Sequence, residues 1–451
     1  MNHYRLGDRV FRREMTRRDF LWLASAAGVA AALPGLSGCA VDPVTGEKQV
    51  VLMSEAQERA VDREQSPHQF SEDYGVVQQR GVNAYLNKVG LDMAHRSHRP
   101  QMPYSFQAVN AVYINAYTFP GGSVGVTRGI LAELDNEAEL AALLGHEIGH
   151  VNARHAAERA TRGMLTQVAL AGATIAVSSS DYRDYAGLVS SIGGIGAGAL
   201  LSHYSRDDER EADALGMEYM VRSDHSPDGM VGLMDILRNQ SKDKPNAVEM
   251  MFATHPMSDE RYATARERAA KRYAGERGHP LNRERYMDHI AAVRRIKPAI
   301  DALQKGEKEM KRDNYSVAEG YFSTALQQEP EDYAGLVMMS KCQVGLNKPD
   351  RAQHYARLAE RVDPKEAQAH HLAGIASLMQ QDYASAYEEF RRYEKVLPGN
   401  PNTLFLTAVS LEGARDKKAA AKAYYRYLQS VQQGDQAQHA YSQLKAWGYL
   451  R

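Results

Sequence analysis

The last third of the chain is punctuated at a fixed interval: Pro330, Pro364 and Pro398 stand 34 residues apart in both steps. In register with them come Ala318, Ala352 and Ala386, then Phe322, Ala356 and Phe390. Gly306 and Gly374 occupy the matching small position earlier in the unit. A fourth unit follows with Ala408, Ala420 and Tyr424, and has Gln432 where the proline would be. A unit this short cannot bury its own apolar face, so it must stack on its neighbours as paired helices. The small residues let the two helices approach closely. The proline ends the second one, because it lacks an amide hydrogen and clashes with the preceding turn.

This is the period of tetratricopeptide repeats, and the array runs from about 296 to 451. What precedes it is long enough for a separate core, since the chain has 451 residues. Hydrophobic residues make up 43% and charged residues 25%, which excludes a disordered chain. With 55 Lys+Arg against 56 Asp+Glu the net charge is −1, which argues against a nucleic-acid-binding role. A mean hydropathy of −0.51 excludes a polytopic membrane protein. The two cysteines, Cys39 and Cys342, cannot build a disulfide framework or a thiolate zinc structure.

The first forty residues read as an address. Six Arg and three acidic residues precede an apolar run from Phe20 to Leu33. That run falls short of the roughly 20 residues a spanning helix needs, and suits a signal peptide. Thr16-Arg17-Arg18-Asp19-Phe20-Leu21 resembles a twin-arginine export motif. Leu36-Ser37-Gly38-Cys39 resembles a lipobox. The expected signal peptide is 1–38, cut before a diacylated Cys39. A lipid-anchored tether over 39–54 follows, with one turn and one short strand. Residue 40 is Ala rather than Asp, and the resemblance to Gram-negative lipoproteins then implies sorting to the outer membrane.

Ser54-Glu55-Ala56-Gln57 is a capping box and predicts a helix start. Residues 104–128 predict two strands joined near Pro120-Gly121-Gly122. Glu133 to Arg162 predicts a helix, with Leu140, Leu143, Leu144, Ile148 and Val151 at helical spacing. Two apolar stretches near 164–179 and 185–201 are rich in Gly, Ala and Ser. Their length favours helices packed on the globular part over a membrane hairpin.

Within the predicted helix lies His146-Glu147-Ile148-Gly149-His150. Imidazoles at i and i+4 share one helix face and can reach a single ion. Zinc accepts neutral imidazole nitrogen in tetrahedral geometry. It acidifies a water molecule, whose proton Glu147 can take and later return to a leaving amine. A third protein ligand is needed. Glu209, Glu211 and Asp213 all stand on the acidic stretch 207–213, and the pattern alone leaves the choice among them open.

HEIGHVNARH, SRDDEREAD and the run Asn115-Ala116-Tyr117-Thr118-Phe119-Pro120-Gly121-Gly122 together resemble the M48 peptidase family. The resemblance implies that His146, His150 and Glu209 bind one zinc per chain. Asp213, one turn beyond Glu209, would orient a ligand histidine. Thr254-His255-Pro256 matches an element of the envelope members that carry a tetratricopeptide tail, and implies that His255 approaches the metal, either as a fourth ligand in a latent state or as an oxyanion stabiliser. Asn115, Ala116, Gly121 and Gly122 would border the cleft, where an extended substrate pairs with an edge strand. His155 reads as packing or as support for the site, and Glu211 as a surface charge.

The expected architecture is an α+β zincin-like metallopeptidase domain over 55–290, followed by an all-α tetratricopeptide solenoid over 296–451. The expected function is zinc-dependent endoproteolysis of misfolded or stalled bacterial envelope proteins. The enzyme would be a lipoprotein on the inner leaflet of the outer membrane, facing the periplasm. The arm would recruit clients or an assembly-machinery partner. The alternative is a chaperone or assembly scaffold acting mainly through the arm.

Overall fold

A computed structural model describes residues 40–49, 51–161, 203–243 and 245–450. The signal segment 1–38, the lipidation candidate Cys39 and the apolar stretches 164–179 and 185–201 lie outside the described residues. Among the described residues no helix is long and apolar enough to cross a membrane.

The first helix, Glu55–Glu72, begins where the capping box predicts: Ser54 accepts from the Gln57 amide, and Gln57 answers to the Ser54 amide. After the helix Arg80–His95 comes a sheet of three strands rather than two. Ser105–Val109 pairs parallel with Ser123–Thr127, which pairs antiparallel with Ala116–Thr118. The turn before Ser123 is where the sequence places it. The extra strand arises because the connection 110–115 is itself buried. Ala111, Val112 and Ile114 are apolar at 0% exposure without being a strand, so composition alone merges them with their neighbours.

The central helix spans Glu137–Asn152 from an Asn136 cap, and all its residues are buried. It is shorter than predicted. Arg154 takes a left-handed φ of 60°, and helical structure resumes at 155. Against the central helix lies Arg206–Arg222, started by a second capping box, Ser205 with Asp208. The two helices meet along a seam of small residues. A Cβ on Gly149 would come within 2.9 Å of the Ala212 carbonyl oxygen, and one on Gly216 within 2.8 Å of the His146 nitrogen. Only glycine permits this approach, and the approach brings the acidic helix up to the two histidines.

Helices Asp228–Asp243, Pro245–Thr254, Asp259–Lys271 and Arg283–Arg295 complete the globular part. The repeat period then appears as antiparallel pairs: Lys297–Met310 with Tyr315–Gln328, Tyr333–Gly345 with Pro349–Val362, Ala367–Met379 with Tyr383–Val396, and Pro401–Gly413 with Lys417–Ser430. Pro330, Pro364 and Pro398 each stand two residues past a second helix. Ala318, Ala352, Ala386 and Ala420 are all fully buried at the helix contacts.

The first helices of the first three pairs contact the globular part. Arg128 makes a bidentate ion pair with Asp332, at 2.6 and 3.0 Å, with both side chains buried. Gln304 donates to the Val112 carbonyl at 2.6 Å. Gln368 donates to the Glu72 carbonyl at 3.0 Å. A cavity of about 560 Å³ remains between core and arm, lined by Gln78, Asn110, Arg128, Arg295, Asp332 and Arg361 among others, and it does not include the histidine cluster.

Within the arm, His370 lies 3.3 Å from Glu360 and 3.1 Å from Glu389, and so ties the second pair to the third. Arg392 donates to Glu389 at 3.0 Å, and Arg357 lies near both carboxylates. Burial pushes the His370 imidazolium down, but the two carboxylates outweigh it and raise its pKa from 6.5 to about 9. A group whose folded pKa lies above its unfolded one stabilises most below the unfolded value and loses that contribution as pH rises through the folded one. The unfolding midpoint should therefore fall between about pH 6.5 and 9. The loss should be about 1–2 kcal/mol after allowance for solvent screening. In His370→Gln the slope over this range should flatten, as thermal melts across the pH series would read.

Candidate metal centre

Three segments deliver four donors to one point. The central helix presents His146 and His150 one turn apart, the acidic helix presents Glu209, and His255 follows the end of Pro245–Thr254. His146 Nε2 and His150 Nε2 are 3.1 Å apart. Glu209 lies 3.3 Å from His150 Nε2 and 3.6 Å from His146 Nε2. His255 Nδ1 lies 3.2 Å from His146 Nε2 and 2.9 Å from Glu209 Oε1. Donors bonded tetrahedrally to zinc at about 2.0–2.1 Å stand roughly 3.3 Å from one another, and the cluster has that spacing. All four side chains are buried. The donor set, three imidazoles and a carboxylate, suits zinc better than a hard cation that wants oxygen alone.

The outer atoms of the cluster are also held. Asp213 meets His146 Nδ1 at 3.0 Å. It also accepts two hydrogen bonds from Arg261, both at 2.7 Å. The same guanidinium reaches Glu209 Oε2 at 2.6 Å and the Pro256 carbonyl at 2.8 Å. Arg261 thus ties the acidic helix to the His255 segment. Burial works against the Asp213 carboxylate, but Arg261 and His146 outweigh it and hold its pKa low. Burial pushes the His150 pKa well below the ordinary histidine value, so this imidazole is neutral, as a ligand must be. The Tyr204 ring stacks on His150 with centroids 3.7 Å apart.

Glu147 is fully buried, and neither of its carboxylate oxygens has a hydrogen-bond partner among the described residues. Its Oε1 lies 3.8 Å from His255 Nε2. Burial raises its pKa, with His255 and His146 opposing. A buried carboxylate left without donors is costly, and it is common where a proton acceptor awaits its substrate.

Among the described residues Ala116–Thr118 is the edge of the sheet, paired on one side, and it packs against the central helix. Asn115 and Ala116 lie at its start. Asn115 is buried, and its side-chain oxygen is without a partner among the described residues. Gly121 and Gly122 have reasons of their own. A Cβ on Gly121 would fall 2.5 Å from the Asp62 Cβ, and Gly122 has a φ of +101° against the Tyr104 ring. Both form the tight turn into Ser123, whose amide donates to Asp62 at 2.9 Å.

The sequence pattern assigns no role to Arg261 or Tyr204, and reads His155 as packing or as support for the site without naming its partner. The Asp213 partner of Arg261 lies 48 positions away, the His150 partner of Tyr204 is on the central helix, and His155 meets His150 only because the chain reverses between them; neither charge nor aromaticity marks such contacts in advance. The spacing of Arg261 from His255-Pro256 was the one available signal.

Residues 81–269 match the profile of Peptidase family M48. A β-barrel assembly-enhancing protease of Yersinia pestis is 28% identical over 76% of this chain and 75% of its own length. The protein of that name in Escherichia coli is 30% identical over 44% of this chain and 42% of its own length. Metalloprotease YcaL of Escherichia coli is 31% identical over 37% of this chain and 63% of its own length. The chain carries a peptidase domain of family M48 and is a metalloendopeptidase, followed by a helical arm of tetratricopeptide type whose paired helices repeat every 34 residues.

Proposed function

We propose that this is a zinc endopeptidase of the bacterial envelope, with a peptidase domain at 55–290, an arm at 296–451, and misfolded or stalled envelope proteins as clients. The observation that supports this best is Glu147, a buried carboxylate without a donor among the described residues, beside four converging metal donors. His146, His150 and Glu209 hold the zinc, and Asp213 orients His146. Zinc bound there supplies Lewis acidity, which acidifies a water and polarises the scissile carbonyl. Glu147 takes the proton of the attacking water on its carboxylate and passes it to the leaving amine. The edge strand Ala116–Thr118 aligns an extended substrate strand, beginning at Asn115. The N-terminal address supports export and anchoring through Cys39, and the names of the relatives agree with an envelope role.

His255 stands where a substrate or water would need room, and we read the arrangement as a closed state. Replacing it by Ala should raise casein hydrolysis several-fold with zinc retained. An unchanged rate removes this reading. Glu209→Gln should strip the purified chain of most of its zinc, a larger loss than the 10–100-fold in affinity that a supporting residue costs. Full zinc occupancy in that variant would overturn the ligand assignment. The scaffold alternative draws on the arm of paired helices. If Glu147→Gln restores a deletion strain fully, the arm and not the peptidase carries the main work.

A further inference from the structure

A metal-binding imidazole needs its other nitrogen protonated and that proton accepted, because this sets the tautomer and the ring orientation. For His146 the acceptor is Asp213. For His150 the spacing of a continuous helix offers nothing: residue 155 lies five positions on, and would point well away around the axis. The chain does not continue as a helix. It reverses at Arg154, with φ 60°, and re-enters helical structure at 155. His155 Nδ1 thereby comes to 2.8 Å from His150 Nδ1.

The reversal is secured from outside the motif. Arg154 Nε donates to Glu58 at 2.9 Å, and its guanidinium also donates to the Met53 carbonyl at 2.6 Å. Arg99 pairs with the same Glu58 at 2.6 Å and donates to the Val151 carbonyl at 2.7 Å, at the end of the central helix. Glu58 is fully buried. The first helix, the Arg99 loop and the central helix are thus joined at the residue that turns His155 back. Such a left-handed arginine persists only where its surroundings over-determine it.

We propose that His155 is the positioning residue for His150: its Nδ1 accepts the His150 Nδ1 proton and leaves His150 Nε2 free for the metal. Donor and acceptor complementarity then puts the His155 proton on Nε2. That nitrogen faces Glu211 at 3.4 Å, with Asp208 at 4.0 Å. Glu211 is thereby the outer end of a carboxylate–imidazole–imidazole chain rather than an idle surface charge. The inference rests on the zinc reading above, and deepens it with a residue that touches neither metal nor substrate.

The test is zinc affinity of the full chain, measured by competition with a chromophoric chelator. His155→Phe keeps the ring and removes the acceptor. It should weaken zinc binding by about 10–100-fold, with the metal-free melting temperature unchanged. His155→Gln, which restores an acceptor oxygen, should recover most of the loss. Wild-type affinity in His155→Phe overturns the proposal, and so does an equal loss in both variants, which would mark His155 as packing. Nitrogen NMR of the histidine-labelled, zinc-loaded wild-type chain needs no variant to fold. Protonation at His150 Nδ1 and His155 Nε2 is expected, and the opposite tautomer at His155 overturns the proposal. A wild-type chain that takes up no zinc sinks the metal reading itself. Zinc uptake by the wild type with no effect in His155→Phe sinks this inference alone.

Discussion

Glu147→Gln should retain its zinc and lose at least about 10³-fold in kcat/KM, within the range that a general base contributes. Gln has the same shape, so the helix and the donor cluster are undisturbed. It cannot take a proton at neutral pH. The native carboxylate is well prepared for that task, because burial raises its affinity for the proton and no donor among the described residues competes for its oxygens. Hydrolysis of a casein-derived peptide, paired with metal analysis of the same preparation, checks both halves. Retention of more than a tenth of the activity would remove Glu147 from the proton transfer. Loss of zinc together with activity would mean that Glu147 supports the metal instead.

Asp332→Ala should destabilise the chain by about 3–5 kcal/mol, the usual result of leaving one partner of a buried ion pair uncompensated. Both side chains of the Arg128–Asp332 pair are 4% exposed. Asp332 also caps the helix Tyr333–Gly345 by accepting from the Gly335 amide at 2.8 Å, and losing a cap adds about 1 kcal/mol. The pair joins the arm to the core, so denaturant unfolding should give one transition for the wild type and two for the variant. Replacing both residues with apolar ones, Arg128→Met with Asp332→Leu, should recover much of the loss, because the buried charge is then gone. If the single and double variants unfold at the same denaturant concentration, the ion pair is not what the substitution removed.

How far the sequence could be read depended on the range of each contact. The two capping boxes, Ser54 with Gln57 and Ser205 with Asp208, are made within four residues. The first was predicted in place; the second, equally local, lay inside a stretch read only for its carboxylates. The three-stranded sheet was underestimated because a buried connection carries the same residues as a strand. The central helix was overestimated because Ala, Arg and His at 153–155 are acceptable helix formers. Nothing local announces that Glu58, almost a hundred positions earlier, holds Arg154 in a left-handed turn.

By itself the sequence determined the elements whose physics is periodic: two imidazoles one helical turn apart with a carboxylate between them, and paired helices returning every 34 residues. Hydrogen bonds within a helix set those spacings whatever the rest of the molecule does. Only the tertiary structure decided what surrounds them. It brought His255 to the cluster, gave His150 its partner in His155, placed Arg261 between Glu209 and Asp213, and docked the first helices of the arm on the core through Arg128 and Asp332. Those contacts join residues from 5 to 204 positions apart. Close packing of small residues along a helix seam and the cost of burying unpaired charge select them, and neither is legible until the chain has folded back on itself.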